Sequence, residues 1–251
     1  MGKFNGKVAV VTGGARDIGR AVSLKLAKEG AKVVVNYLNN EDAARETIRL
    51  IQVVGGEAIA VKADVTDIAA INYLLEKTKE AFGEKVDVLV NVAGGLFARK
   101  TINEIDEDYY NLLMDVNFKS CVFVSQVFVP QMPKGSSIVN LASQAGRDGG
   151  GPGALVYAAS KAAVSTFTRG LAKELGPKGI RVNALNPGMI STKFHDDFTK
   201  DQVRTNVANA TPLRREGRAS EVADLVAYLA SNEASFLTGN NVDINGGLAF
   251  S

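Results

Sequence analysis

Short runs of aliphatic and β-branched residues alternate along this chain with longer segments in which apolar positions recur every three to four residues. The runs Lys7–Val11, Lys32–Val35, Ala58–Val61, Val86–Val90, Ser137–Leu141, Ile180–Leu185 and Asn241–Ile244 read as strands. Helical spacing fills 18–29, 41–53, 67–82, 106–129, 156–175 and 220–231. Apolar strands separated by helices mark βαβ units, whose crossovers lay helices on both faces of a parallel sheet. The expectation is a single α/β domain over 1–251, doubly wound, with a seven-stranded, mainly parallel sheet. Local punctuation fits it: Gly30 stands where a left-handed helix end belongs, and Asp67, Asp106 and Ser220 stand where N-caps belong.

In such sheets ligands bind beyond the carboxyl ends of the strands. The residues expected there are Thr12-Gly13-Gly14, Asn36-Tyr37, Asp64-Val65, Asn91-Val92-Ala93-Gly94, Ser143 and Asn186-Pro187-Gly188. Small, polar and backbone-exposing types recur, as a dinucleotide groove requires. Between the first strand and first helix lies Thr12-Gly13-Gly14-Ala15-Arg16-Asp17-Ile18-Gly19. Glycines there let backbone approach a pyrophosphate, and the helix N-terminus offers free N–H groups. Folds that bind NAD carry an acid at the end of the second strand. Here Asn36 stands at that point and Arg16 is available for a 2′-phosphate, which favours NADP(H) over NAD(H). Asp17 lies near the pyrophosphate path and is expected to turn outward and cap the helix that begins at Ile18.

Composition narrows the field by exclusion. A net charge of +2 over 251 residues argues against nucleic acid as a partner. The single cysteine, Cys121, cannot form an intrachain disulfide and reads as core packing, and the chain opens without a signal segment, so a cytoplasmic setting is expected. No apolar run suggests a membrane span, and one histidine, His195, excludes a histidine-rich metal centre.

Candidate chemistry centres on Tyr157 and Lys161, which share a helix face one turn apart. An ammonium about 4 Å from a phenolate, at an effective dielectric of about 20, favours it by about 4 kcal/mol, or roughly three pKa units. That would bring the phenol near neutrality, where a general acid works best. Tyr73 and Lys77 repeat the spacing, so position in the fold must separate the pairs.

Together these motifs resemble the short-chain dehydrogenase/reductase family over essentially the whole chain, in the branch of 3-oxoacyl-(acyl-carrier-protein) reductases. The resemblance rests on the glycine frame at 12–19, Asn91-Val92-Ala93-Gly94, Asn117 in Asp115-Val116-Asn117, Ser143, Tyr157 with Lys161, and Pro187-Gly188-Met189-Ile190-Ser191-Thr192. It implies a Rossmann-type domain and an NADP-dependent oxidoreductase acting on CH–OH and C=O groups. Tyr157 would then donate the proton, Ser143 would orient the carbonyl oxygen, Lys161 would hold the nicotinamide ribose, and Asn117 would support a proton-relay water. Gly13, Arg16, Asp17, Ile18 and Gly19 would border the pyrophosphate, with Asn36 and Tyr37 at the adenosine end. Asp64 and Val65 would flank the adenine, and Asn91, with Ala93 and Gly94, the adenosine ribose. Thr192, with the backbone of Pro187, Gly188 and Ile190, would bind the carboxamide.

Residues 191–218 correspond to a substrate lid and include Phe194, His195 and Phe198. The glycine-rich loop Gln144–Leu155 is expected to be mobile without ligand. Lys134 and Lys178 are candidates for docking an acyl carrier protein, and a homotetramer is expected. Two positions depart from the family pattern: Asp17 replaces a usual glycine and Val92 a frequent asparagine. Two other readings stand beside the thioester reductase: an oxidoreductase of a sugar, polyol, steroid or other secondary alcohol, and a non-catalytic NADP-binding sensor.

Overall fold

In the computed structural model, residues 2–193 and 199–250 are described. Strands β1 (Val8–Thr12), β2 (Lys32–Tyr37), β3 (Glu57–Lys62), β4 (Val88–Asn91), β5 (Ser137–Leu141), β6 (Arg181–Pro187) and β9 (Asn241–Ile244) form one sheet. Its order is β3-β2-β1-β4-β5-β6-β9, and every pairing is parallel. The chain winds outward from β1 to β3 and then returns to place β4 on the other side of β1. That reversal opens a crevice at the carboxyl ends of β1 and β4, where such folds take ligands.

Side-chain alternation divides the core. Val11, Val33, Val35, Val90 and Val139 face a layer containing α1 (Asp17–Lys28), α2 (Glu41–Val53) and α9 (Ala219–Ala230). Their neighbours Val10, Val34, Leu89 and Ile138 face α3 (Ile68–Phe82), α5 (Ser120–Phe128) and α7 (Leu155–Leu175). Strands buried on both faces have no polar side to show, which is why they read as unbroken apolar runs. Each fully buried aliphatic side chain contributes about 1.5–3 kcal/mol. The free Cys121 packs with Ala142, Val164 and Ala184, as expected of a core cysteine, and burial pushes its thiol up to about 12.

Several expected boundaries shift for identifiable reasons. Asp67 and Asp106 do cap α3 and α4 (Glu107–Met114), and Gly30 takes φ 98° after α1. Ser220 does not cap: α9 starts one residue earlier, with Arg218 at the cap and Glu221 accepting from its backbone N–H at 2.8 Å. The helix expected over 106–129 is broken by a π turn, Asp115–Lys119, between α4 and α5. The helical stretch Glu107–Gln131 contains an 18-residue window of mean hydropathy 1.4, long and apolar enough to cross a membrane by length and composition. Leu113, Val124 and Phe128 within it are fully buried in the protein.

The lid segment contains β7 (Ile190–Ser191), α8 (Asp201–Ala210) and β8 (Gly217–Arg218). Arg204 and Glu216 join α8 to β8 by hydrogen bonds of 2.6 and 2.7 Å. Phe194, His195 and Phe198 lie outside the described residues.

Candidate active site

At the mouth of the crevice the glycine turn exposes backbone. Gly13 adopts φ 61°, and a Cβ there would come within 3.1 Å of the Ala93 Cα; one on Gly19 would strike the Gly13 carbonyl at 2.0 Å. Asn40, Asp67 and Asp106 cap α2, α3 and α4, whereas no side chain among the described residues caps α1. The first N–H groups of a helix lack intrahelical acceptors and carry its positive dipole end. The turn therefore fits a pyrophosphate. Thr12 fixes its neighbour, accepting from Val92 N at 3.0 Å and Ala93 N at 3.2 Å and so joining the ends of β1 and β4.

Tyr157 and Lys161 stand in the first turns of α7, beside the end of β5. Lys161 is 4 % exposed, and its Nζ donates to Leu141 O at 2.8 Å. No carboxylate pairs with it among the described residues, and burial lowers its pKa to about 8. Ser143 and Tyr157 hydrogen-bond to each other, so both hydroxyls point to one spot. Ser143 Oγ also accepts from Ala145 N at 3.1 Å, which orients it. Asn117 sits in the π turn, 1 % exposed, and grips Gly95 twice: Oδ1 accepts from Gly95 N and Nδ2 donates to Gly95 O, both at 2.9 Å. A Cβ on Gly94 would meet Asn117 Oδ1 at 2.7 Å and Lys161 Nζ at 2.9 Å, so glycine leaves the space between them open. π turns commonly mark functional sites because the extra residue redirects one side chain.

The expected pKa of Tyr157 needs correcting. Burial raises it, the Ser143 bond opposes this, and Lys161, 5.9 Å from the ring centroid, is turned towards Leu141 O. In the protein alone the phenol is therefore held protonated, contrary to the shift towards neutrality estimated from spacing. The rival pair has similar geometry, with Lys77 Nζ 5.5 Å from the Tyr73 ring. Tyr73 is 47 % exposed, however, and Lys77 pairs with Glu80 on the outside of α3.

Other expected contacts are redistributed. Asn36 is inside β2, not beyond it: Oδ1 accepts from Gly13 N at 3.2 Å and Nδ2 donates to Ala63 O at 2.9 Å. Its amide braces the glycine turn against β3, while the half-buried Tyr37 packs against the core layer of α1 and α2. Asn91 is also inward, donating to Asn140 Oδ1 at 2.9 Å, so its side chain does not face a ribose. Asp64 closes a turn with Thr66, Val65 packs in the core, Gly188 N donates to Ile244 O at 3.0 Å, and Thr192 Oγ1 donates to Ile190 O at 3.1 Å. Arg16 is largely exposed, with Nε 3.8 Å from Asp17 Oδ2.

Asp17 does not cap α1; it opens the helix at φ 51°, and its Oδ1 accepts from Lys193 N at 3.1 Å. The loop expected to be free contains a helical turn, α6 (Ala145–Asp148), and is stapled by Lys100 N to Gly153 O and Arg99 to Pro152 O, both 3.0 Å. Lys134 and Lys178 precede β5 and β6, at the amino ends of the strands. That is the edge of the sheet opposite this chain's own crevice.

The family model described as enoyl-(acyl carrier protein) reductase matches residues 13–249. An uncharacterised oxidoreductase of Methylorubrum extorquens is 36% identical over 99% of this chain and 100% of its own. A 3-oxoacyl-[acyl-carrier-protein] reductase of Staphylococcus aureus is 35% identical over 96% and 98%. A short-chain dehydrogenase from Burkholderia cenocepacia, solved in complex with NADP, superposes with TM-score 0.90 at 32% identity, covering 98% of this chain and 99% of that one. With the paired Ser143 and Tyr157, the buried Lys161 and the uncapped glycine turn in one crevice, the chain belongs to the short-chain dehydrogenase/reductase family.

Proposed function

We propose that the protein is an NADPH-dependent carbonyl reductase whose substrate is a 3-oxoacyl thioester, converted to the 3-hydroxyacyl form. The observation that carries this reading is the convergence of the Ser143 and Tyr157 hydroxyls beside a buried lysine that pairs with no carboxylate among the described residues. Bound NADPH supplies the hydride. Hydride arrival at a ketone carbon develops negative charge on oxygen, so two hydroxyls aimed there stabilise the transition state more than the ground state. Ser143 orients the oxygen and Tyr157 gives it a proton. Lys161 has two N–H donors beyond the one spent on Leu141, which suits ribose hydroxyls. Asn117, bonded to Gly95, keeps Gly94 and Gly95 clear of the lysine.

The reading of NADPH over NADH is supported by the NADP-bound relative and by Tyr37, not an acid, at the last position of β2. The relative named as a 3-oxoacyl reductase supports the thioester. A free, buried Cys121 accords with a reducing cytoplasm. Tyr110 and Leu112 on α4 and Leu155 on α7 are each 44–49 % exposed, a surface suited to the packing of these helices in a homotetramer. Light scattering of the purified protein is expected to give four chains, and a monomer at micromolar concentration would reject that assembly.

Acetoacetyl-CoA is expected to drive NADPH oxidation at a kcat/KM above that for sugar, polyol or steroid carbonyls, and crotonyl-CoA, with its C=C bond, to be inert. Faster turnover of a sugar or steroid would move the substrate class. Binding of NADPH with no turnover on the whole panel would make the protein a sensor.

A further inference from the structure

Asp17 stands in a turn otherwise built to expose backbone, yet it carries a side chain that crosses to a segment 176 residues away. Oδ1 accepts the N–H of Lys193, and Oδ2 faces Arg16. Both oxygens are thus engaged away from the amides of the helix that Asp17 begins. On the far side, Lys193 directly follows Thr192, whose hydroxyl is bonded to Ile190 O. Ile190 is 4 % exposed, and β7 pairs with β8. The turn 190–193 is therefore held at one end by β7 and at the other by Asp17.

We infer that Asp17 is a positioning residue for the dinucleotide, a clasp that joins the glycine turn to turn 190–193 and holds Thr192 over the crevice. This rests on the reading of the crevice as an NADPH site. The clasp adds a closure that the more usual glycine cannot make, because glycine has no side chain to reach Lys193. Asparagine keeps both needs, an acceptor oxygen and tolerance of positive φ, without the charge. Alanine is a poor probe, because φ 51° strains it independently of any lost contact.

The test compares Asp17→Gly and Asp17→Asn with wild type. NADPH release, followed in stopped flow by nicotinamide fluorescence, is expected to be about tenfold faster in Asp17→Gly, the loss of one hydrogen bond to a charged acceptor. Asp17→Asn is expected to stay close to wild type. Hydrogen exchange without cofactor provides a second reading: the Lys193 amide should lose protection in Asp17→Gly and keep it in Asp17→Asn.

Equal or slower NADPH release from Asp17→Gly overturns the clasp, and so does Asp17→Asn behaving like Asp17→Gly. Equal Lys193 protection in all three proteins overturns it whatever the cofactor result. A wild type that protects Lys193 but binds no NADPH would reject the reading of the crevice itself, and the positioning role with it.

Discussion

Replacing Tyr157 by Phe is expected to cut turnover about a thousandfold, within the range for loss of a positioned general acid, while NADPH affinity stays nearly unchanged. The asymmetry follows from where the hydroxyl points: it bonds Ser143, and burial already keeps it protonated in the protein alone. Steady-state assays paired with fluorescence titration separate the two effects. Ser143→Ala should lower kcat less, since the phenol remains to donate. Tyr73→Phe is the control, because that ring is half exposed on α3 and its lysine is paired with Glu80. If Tyr73→Phe proved the more damaging change, the placement of the reaction at α7 would be wrong.

Lys161→Met is expected to do two opposite things: abolish turnover and make the cofactor-free protein more stable. The ammonium is buried with one carbonyl acceptor among the described residues, and its pKa falls from 10.5 to about 8. A displacement of that size corresponds to about 3 kcal/mol against the charged form. Below pH 8 the lysine is protonated in both folded and unfolded chains, and the folded one bears the full penalty. Between 8 and 10.5 the unfolded chain binds more protons, so this lysine's contribution to stability improves as pH rises through that window. At pH 7 the Met protein should therefore melt about 5 °C higher, with the gap closing as pH approaches 10. A lower melting temperature for Lys161→Met at pH 7 would show that the charge is not the strained feature.

Much of the fold was legible because burial on both faces writes a strand as an uninterrupted apolar run. Val33-Val34-Val35 and Val88-Leu89-Val90 could hardly be anything else between helical segments. The strand ends were less legible. Asn36 and Asn91 look like the first residues of a ligand groove, yet β2 and β4 extend through them. Their amides are polar for internal reasons, bracing Gly13 and Asn140, and composition cannot tell a polar group satisfied inside from one waiting for a ligand.

The π turn at Asn117 was hidden for a related reason: its Asn117 grips Gly95, 22 residues distant, a contact that leaves no mark in local periodicity. Ser143, Tyr157 and Lys161 were recognisable only as a set, since Tyr73 and Lys77 share the spacing. What distinguishes the pairs is burial, a property of the assembled domain. Asp17 was visible as an anomaly, but its partner Lys193 lies on a part of the chain that no sequence pattern joins to it.

The bare start of α1 has a consequence for the protein in its cell. A helix whose first amides are left for a ligand is a fold with its last piece held by someone else. Since anything that binds the native chain alone stabilises it by RT ln(1 + [L]/Kd), a dinucleotide at about a hundred times its Kd adds about 2.7 kcal/mol. The survival of this chain against proteolysis would then follow the dinucleotide pool, rising when the coenzyme is plentiful and falling when it is drained. Abundance of the enzyme would track supply of its reductant without any transcriptional control.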